Sequence, residues 1–159
     1  MSRAARLLEI ARAKGIVIAT AESCTGGMVS AAITDIAGSS TIFDRGFVTY
    51  TNEAKMAMLG VSPATLDAFG AVSEQVAEEM CRGALANSNA TLAVSITGIA
   101  GPGGSDFKPE GRVCFGITNG TETQTETVEF GALGRDKVRQ AARDHALDLL
   151  LKVADSVLP

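Results

Sequence analysis

Two glycine-bearing loops hold the residues best suited to chemistry in this 159-residue chain. The first reads Thr20-Ala21-Glu22-Ser23-Cys24-Thr25-Gly26-Gly27 and follows a short apolar segment. A hydroxyl at a strand-to-helix turn projects from the carboxyl end of the strand, the edge at which open α/β sheets bind ligands. The glycines let backbone N–H groups approach a ligand. A helix start offers positive potential to an anion or a developing oxyanion. Ser23 or Thr25 acting only as a helix cap explains the same residues, and on spacing alone that is the simpler account. The second loop, Thr97-Gly98-Ile99-Ala100-Gly101-Pro102-Gly103-Gly104, has four glycines in seven residues, more than a plain connection needs. It suits one wall of a pocket.

Neither loop fits a familiar phosphate or dinucleotide signature. GxxxxGK[ST] is absent, and a hairpin rather than a helix is expected after the second loop. Tyr50 and Lys55 flank the end of a second strand and the start of its helix. A lone tyrosine is usually packing and a lone lysine usually solvated. An activated serine here would nevertheless need a base other than His145, the only histidine, which sits far along the chain in a helical stretch. A lysine in an apolar site loses its proton near neutral pH, and a tyrosine donates or relays one. The Tyr-x-x-x-Lys spacing of short-chain dehydrogenases is missed by one residue, and their glycine fingerprint is lacking, so that reading fails. Arg135, Arg139 and Arg143 recur every four residues on one helical face. Such a face is most often solvated, and alternatively offers a guanidinium to a substrate phosphate.

The elements that must position these groups follow from periodicity. A helix is expected over 2–14, then a buried strand over 16–20, a helix over 28–36, a strand over 47–51 and a helix over 53–59. Ser62-Pro63 opens a short helix, and Ser73 another that runs to about Asn87. Leu92–Thr97 reads as a central strand. Arg112–Thr118 and Thr123–Phe130 read as a hairpin about Asn119-Gly120, and Arg135–Val157 as the last helix. This order favours a mixed α/β sheet with helices on its faces.

Composition removes other classes. Apolar residues make up 46% and charged residues 20%, enough for a sizeable core, and the length fits one domain over 1–159. The net charge is −4 and tryptophan is absent, which disfavours nucleic-acid binding. One histidine and three scattered cysteines, Cys24, Cys81 and Cys114, disfavour a zinc site or a disulfide framework. Cys24 and Cys114 read as buried small apolar residues. The uncharged run over 83–105 is long enough for a membrane but too rich in Asn, Ser, Thr and Gly. No signal peptide opens the chain. A cytoplasmic protein without membrane partners is expected.

Taken together, TAESCTGG (20–27), the GSS…F…GFVTYTNEAK run (38–55), LGV (59–61), GAVSEQVA (70–77) and TGIAGPGG…KPEG (97–111) resemble the CinA C-terminal domain family. These stretches cover most of the chain in the family's order. The resemblance implies a three-layer α/β/α sandwich with a mixed sheet and hydrolysis of the carboxamide of nicotinamide mononucleotide to the nicotinate nucleotide and ammonia. It implies no cofactor and no metal. The small-molecule nucleotide is the expected partner, and a homo-oligomer is compatible with the sequence. By position, Ser23 resembles the nucleophile, with Tyr50 and Lys55 as its activating partners. Cys24, Thr25, Gly26, Gly27, Thr97, Gly98, Ala100, Gly101 and Arg139 are the expected substrate-binding residues. Glu110 departs from the small apolar residue commoner there. Many relatives carry a further large N-terminal domain, so a stand-alone amidase is expected. The competing reading is a non-catalytic nucleotide-binding regulatory module, which gives Ser23, Tyr50 and Lys55 no chemical role.

Overall fold

The computed structural model describes residues 1–105 and 107–158. Its elements run α1 (Arg3–Lys14), β1 (Ile18–Glu22), α2 (Met28–Thr34), β2 (Phe43–Val48), α3 (Asn52–Leu59), α4 (Pro63–Phe69), α5 (Glu74–Ala86), β3 (Leu92–Gly98), β4 (Arg112–Thr118), β5 (Thr123–Glu129) and α6 (Arg135–Ser156). The strands form one sheet in the order β2-β1-β3-β4-β5. β1 is parallel to both neighbours, while β3-β4 and β4-β5 are antiparallel. Helices cover both faces, giving the three-layer mixed α/β architecture expected.

The two faces are built differently, and the difference sets how closely the helices approach. Ile18, Leu92, Val94, Ile96 and Phe115 face α1, α2 and α6 in the larger core. Ala19, Ala21 and Ala93 face α5, whose Val76, Met80 and Ala84 complete the smaller core. Small side chains let α5 lie close to the sheet: Ser95 Oγ donates to Ala77 O at 2.5 Å. A Cβ on Gly116 would stand 2.6 Å from that same oxygen, so glycine is required there.

From β1 the chain passes through α2 to β2 on one side, then through α3–α5 to β3 on the other. The connections therefore diverge at β1. The loops after β1, β2 and β3 gather at one carboxyl edge, the place where such sheets leave a crevice.

Two strands lie differently from their expected positions. β1 begins and ends two residues later, at Ile18–Glu22, and all five of its residues are buried. A strand covered on both faces has no apolar alternation to mark its ends. β2 spans Phe43–Val48 rather than 47–51. The Asp44-Arg45-Gly46 triplet looks turn-like, yet Gly46 is a strand residue. A Cβ there would fall 2.4 Å from Ser30 Oγ and 2.7 Å from Thr20 Oγ1, so its absence lets α2 settle on the sheet.

Candidate active site

A cavity of about 370 Å³ opens at this edge, within the range of roughly 300–1,000 Å³ usual for small-molecule sites. At its buried end stand Ser23, Cys24 and Lys55. Tyr50, Asn52 and the loop from Thr97 to Gly104 line more of its wall. Thr97, Gly98, Ala100 and Gly101 thus line it, as does Cys24. Thr25, Gly26, Gly27 and Arg139 do not, whereas Lys108 and Arg135 do.

Ser23 follows the last residue of β1, and its N–H donates to Ile96 O at 2.9 Å, which ties the turn to β3. Lys55 lies one turn into α3, whose start is capped by Thr51 accepting from Ala54 N–H. That helix directs the amine inward: Lys55 is 1% exposed, the largest fully buried side chain among the described residues. Its Nζ lies 3.0 Å from Ser23 Oγ, 2.8 Å from Thr49 O and 3.3 Å from Tyr50 O. Burial disfavours the ammonium and lowers its pKa to about 8, while neighbouring Cys24 acts in the opposite sense. When the amine is neutral, its two hydrogens serve the two carbonyls and its lone pair faces the serine hydroxyl.

Cys24 sits beside Ser23 but is a poor nucleophile. Burial pushes its thiol up to about 12, so at neutral pH it stays protonated. Cys81 is likewise raised to about 12 by burial, and Cys114 is raised for the same first reason. All three cysteines are free and buried.

The sequence suggested that the start of α2 would lend positive potential to the site. That role is already taken. Glu22, with no exposed surface, accepts from Thr25 Oγ1 (2.6 Å), Gly27 N (3.2 Å) and Val29 N (3.0 Å) on one oxygen. Its other oxygen accepts from Ser30 N (3.0 Å) and Ser30 Oγ (2.9 Å). A buried carboxylate thus caps the helix in place of a side chain from Gly27, and Ser23 caps nothing. Gly26 N–H is also engaged, on Ser23 O at 3.1 Å. Among the described residues of the cavity-facing turn, Cys24 combines a place on the wall with an N–H that has no acceptor. A free N–H at such a place is of the kind that can serve a developing oxyanion. Periodicity gave no sign of the Glu22 cap. Glu22→Ala should strand the Thr25 hydroxyl and three amides, Ser30 Oγ keeping Thr20 Oγ1 at 2.7 Å, and lower the melting temperature by roughly 6–12 °C, readable by calorimetry.

Two side chains take positions the sequence did not disclose. The Tyr50 side chain is 60% exposed, and its hydroxyl accepts from Arg135 Nη2 at 2.8 Å rather than bonding Ser23 or Lys55. Arg139 is turned onto the loop: Nε donates to Cys24 O at 3.0 Å and Nη2 reaches Thr25 O at 3.5 Å. Arg143, expected on the same face, pairs with Asp144. His145 packs between Phe115 and Phe130 and bonds Glu126, away from the cavity. Glu110 Oε1 accepts from Gly103 N–H at 2.6 Å and so braces the glycine loop. Among the described residues no cluster of three His, Cys, Asp or Glu side chains is arranged to hold a metal ion. No described helix is long and apolar enough to cross a membrane.

Fold and site together define an α/β protein whose sheet edge presents a serine against a buried lysine. The model of the CinA C-terminal domain matches residues 1–154, and the chain belongs to that family. A curated relative from Escherichia coli K12, named nicotinamide-nucleotide amidohydrolase PncC, is 52% identical over 140 residues, covering 87% of this chain and 85% of its own. A CinA-like protein from Chloroherpeton thalassium is 45% identical over 89% of this chain, which spans only 36% of that relative's length. A crystal structure of the competence/damage inducible protein CihA from Agrobacterium tumefaciens superposes with a TM-score of 0.92. It is 46% identical, over 95% of this chain and 93% of its own.

Proposed function

We propose that this chain hydrolyses the carboxamide of nicotinamide mononucleotide, releasing ammonia and nicotinate mononucleotide, with Ser23 as nucleophile and Lys55 as base. The observation that carries this reading is the 3.0 Å contact between Ser23 Oγ and a fully buried Lys55 amine whose pKa is lowered to about 8. The name of the Escherichia coli relative, nicotinamide-nucleotide amidohydrolase, supports the choice of substrate.

In this mechanism neutral Lys55 takes the Ser23 proton as Oγ bonds to the carboxamide carbon. The carbonyl oxygen gains the negative charge and accepts from the Cys24 N–H. One such donor is worth about 3–4 kcal/mol in other hydrolases. The carbon–nitrogen bond then breaks, Lys55 returns the proton to the departing nitrogen, and ammonia leaves an ester on Ser23. Water, deprotonated by the same amine, hydrolyses that ester. Tyr50 contributes its main-chain carbonyl to holding Lys55, and its hydroxyl takes no part in the transfer. Placing the 1%-exposed Lys55 amine against a serine costs desolvation that a pure binding module has no reason to bear, so catalysis is favoured over a regulatory role.

Incubation with nicotinamide mononucleotide, with ammonia and the acid nucleotide quantified together, tests the reading. Equimolar formation of both is expected. Binding of the nucleotide without turnover would leave the regulatory module instead.

A further inference from the structure

Besides the buried Lys55, two cations line the cavity, Lys108 and Arg135, and among the described residues no carboxylate does. This sign of charge is local, because the whole chain carries a net charge of −4. The three cations are not equally free. Lys55 spends its donors on Ser23, Thr49 and Tyr50. Lys108 spends two of three on Phe69 O and Val72 O, both at 2.6 Å. Arg135 gives one hydrogen from Nη1 to Gly101 O at 2.7 Å and one from Nη2 to the Tyr50 hydroxyl at 2.8 Å. A guanidinium has five N–H donors, so three remain, including one on each terminal nitrogen. The Tyr50 hydroxyl, accepting from Arg135, keeps its own hydrogen to donate.

Resting on the amidase reading above, we infer that Arg135, with the Tyr50 hydroxyl, is the specificity-determining group that reads the substrate's phosphate and sets the preference for nucleotide over riboside. Arg135 joins two parts of the cavity wall, Gly101 and Tyr50, and both Arg135 and Tyr50 are exposed where Ser23 is buried. A pyridinium nucleotide whose carboxamide reaches Ser23 extends its ribose and phosphate away from the buried end. Charge favours the same assignment. The nucleotide carries one positive ring and a phosphate of nearly two negative charges at neutral pH, whereas the riboside is a net cation. A cationic cavity attracts the first and repels the second. The planar fork of Arg135 suits phosphate oxygens better than a lysine does. Arg139, the other arginine at this end of α6, is excluded from the role because it holds the carbonyls of Cys24 and Thr25 and does not line the cavity.

The test compares kcat and KM for nicotinamide mononucleotide and nicotinamide riboside in the parent chain, Arg135→Gln, Arg135→Lys and Tyr50→Phe. Arg135→Gln is expected to lower the nucleotide-to-riboside ratio of kcat/KM roughly 10–100-fold, with the loss carried by KM for the nucleotide. Arg135→Lys should recover part of it, and Tyr50→Phe should follow the same KM pattern more weakly. An unchanged ratio in Arg135→Gln, or a fall in kcat at constant KM, would overturn the assignment. So would a parent chain that does not discriminate between the two substrates. Calorimetry with ribose 5-phosphate, on the Ser23→Ala background, separates this inference from the amidase reading. If the parent chain releases no ammonia from the nucleotide, ribose 5-phosphate binding that Arg135→Gln abolishes would uphold the anion site and reject the activity. Ribose 5-phosphate binding that Arg135→Gln leaves intact would reject the anion site.

Discussion

Ser23→Ala is expected to reduce ammonia release from nicotinamide mononucleotide by roughly 10⁴-fold or more while melting within a few degrees of the parent chain. The two halves of that result rest on separate observations. Chemically, among the described residues the hydroxyl is the one side-chain group from a cavity-lining residue that hydrogen-bonds the buried amine, whose other partners are main-chain carbonyls. Structurally, the turn is held by backbone: Ser23 N–H to Ile96 O, Gly26 N–H to Ser23 O, and the Glu22 carboxylate across α2. None of these bonds involves Oγ. Removing it leaves Lys55 with Thr49 O and Tyr50 O as acceptors. Activity and stability assays on one preparation check both halves. A large loss of stability would return Ser23 to a capping role, and retained turnover would remove it as the nucleophile.

Lys55→Arg should lose activity to a similar degree, because a guanidinium keeps its proton at any usable pH and cannot act as a base. In the parent chain the neutral amine is the competent form. With the pKa lowered to about 8, the rate should fall about tenfold per unit below that value and level off above it. Roughly a tenth of the molecules are then poised at pH 7, against fewer than about one in a thousand for an exposed lysine. A profile of kcat/KM against pH reads this directly. Its midpoint should vanish in Lys55→Arg together with the activity. The same group links to stability. Between about pH 8 and the ordinary lysine range the unfolded chain binds more protons than the folded one, so stability attributable to Lys55 rises with pH across that window. Lys55→Met should lack this rise, as denaturant titrations at pH 7 and pH 10 would reveal.

What the sequence disclosed and what it hid divide along physical lines. The antiparallel hairpin was legible because Asn119-Gly120 names its own turn: β4 and β5 pair from Thr118 and Thr123 outward. The capped helices α4 and α5 were legible through Ser62 and Ser73, whereas Thr51, the cap of α3, was read as the end of a strand. The parallel strands were placed less well, since β1 is buried throughout and β2 contains a glycine whose reason lies ten or more residues away, at Ser30 and Thr20. The site shows the same division. Ser23 and Lys55 stood in motifs that could be read locally. The Glu22 cap across five donors, the turning of Arg139 onto the loop and the Tyr50–Arg135 bond could not be read so. The last two depend on where a side chain points after distant segments have packed, the Tyr50–Arg135 bond joining residues 85 positions apart. The Glu22 cap lies within eight residues but leaves no mark on the periodicity.

The Glu22 cap also accounts for the α2 N-terminus, an obvious anion site by its position, having no part in the proposed chemistry. Glu22 neutralises it from within the fold. The buried carboxylate fixes the turn that carries Ser23, while burial, rather than a nearby helix dipole, prepares Lys55. In the proposed mechanism, rigid support and proton transfer therefore fall to different groups on neighbouring elements.

Rapid-quench mass spectrometry of a single turnover, with enzyme in excess over nicotinamide mononucleotide, addresses the central claim most directly. The account predicts a transient ester of the nicotinate nucleotide on the peptide containing Ser23, formed as ammonia appears and gone as the acid nucleotide accumulates. Ammonia and acid nucleotide rising together, with no adduct on that peptide at any time, would contradict it.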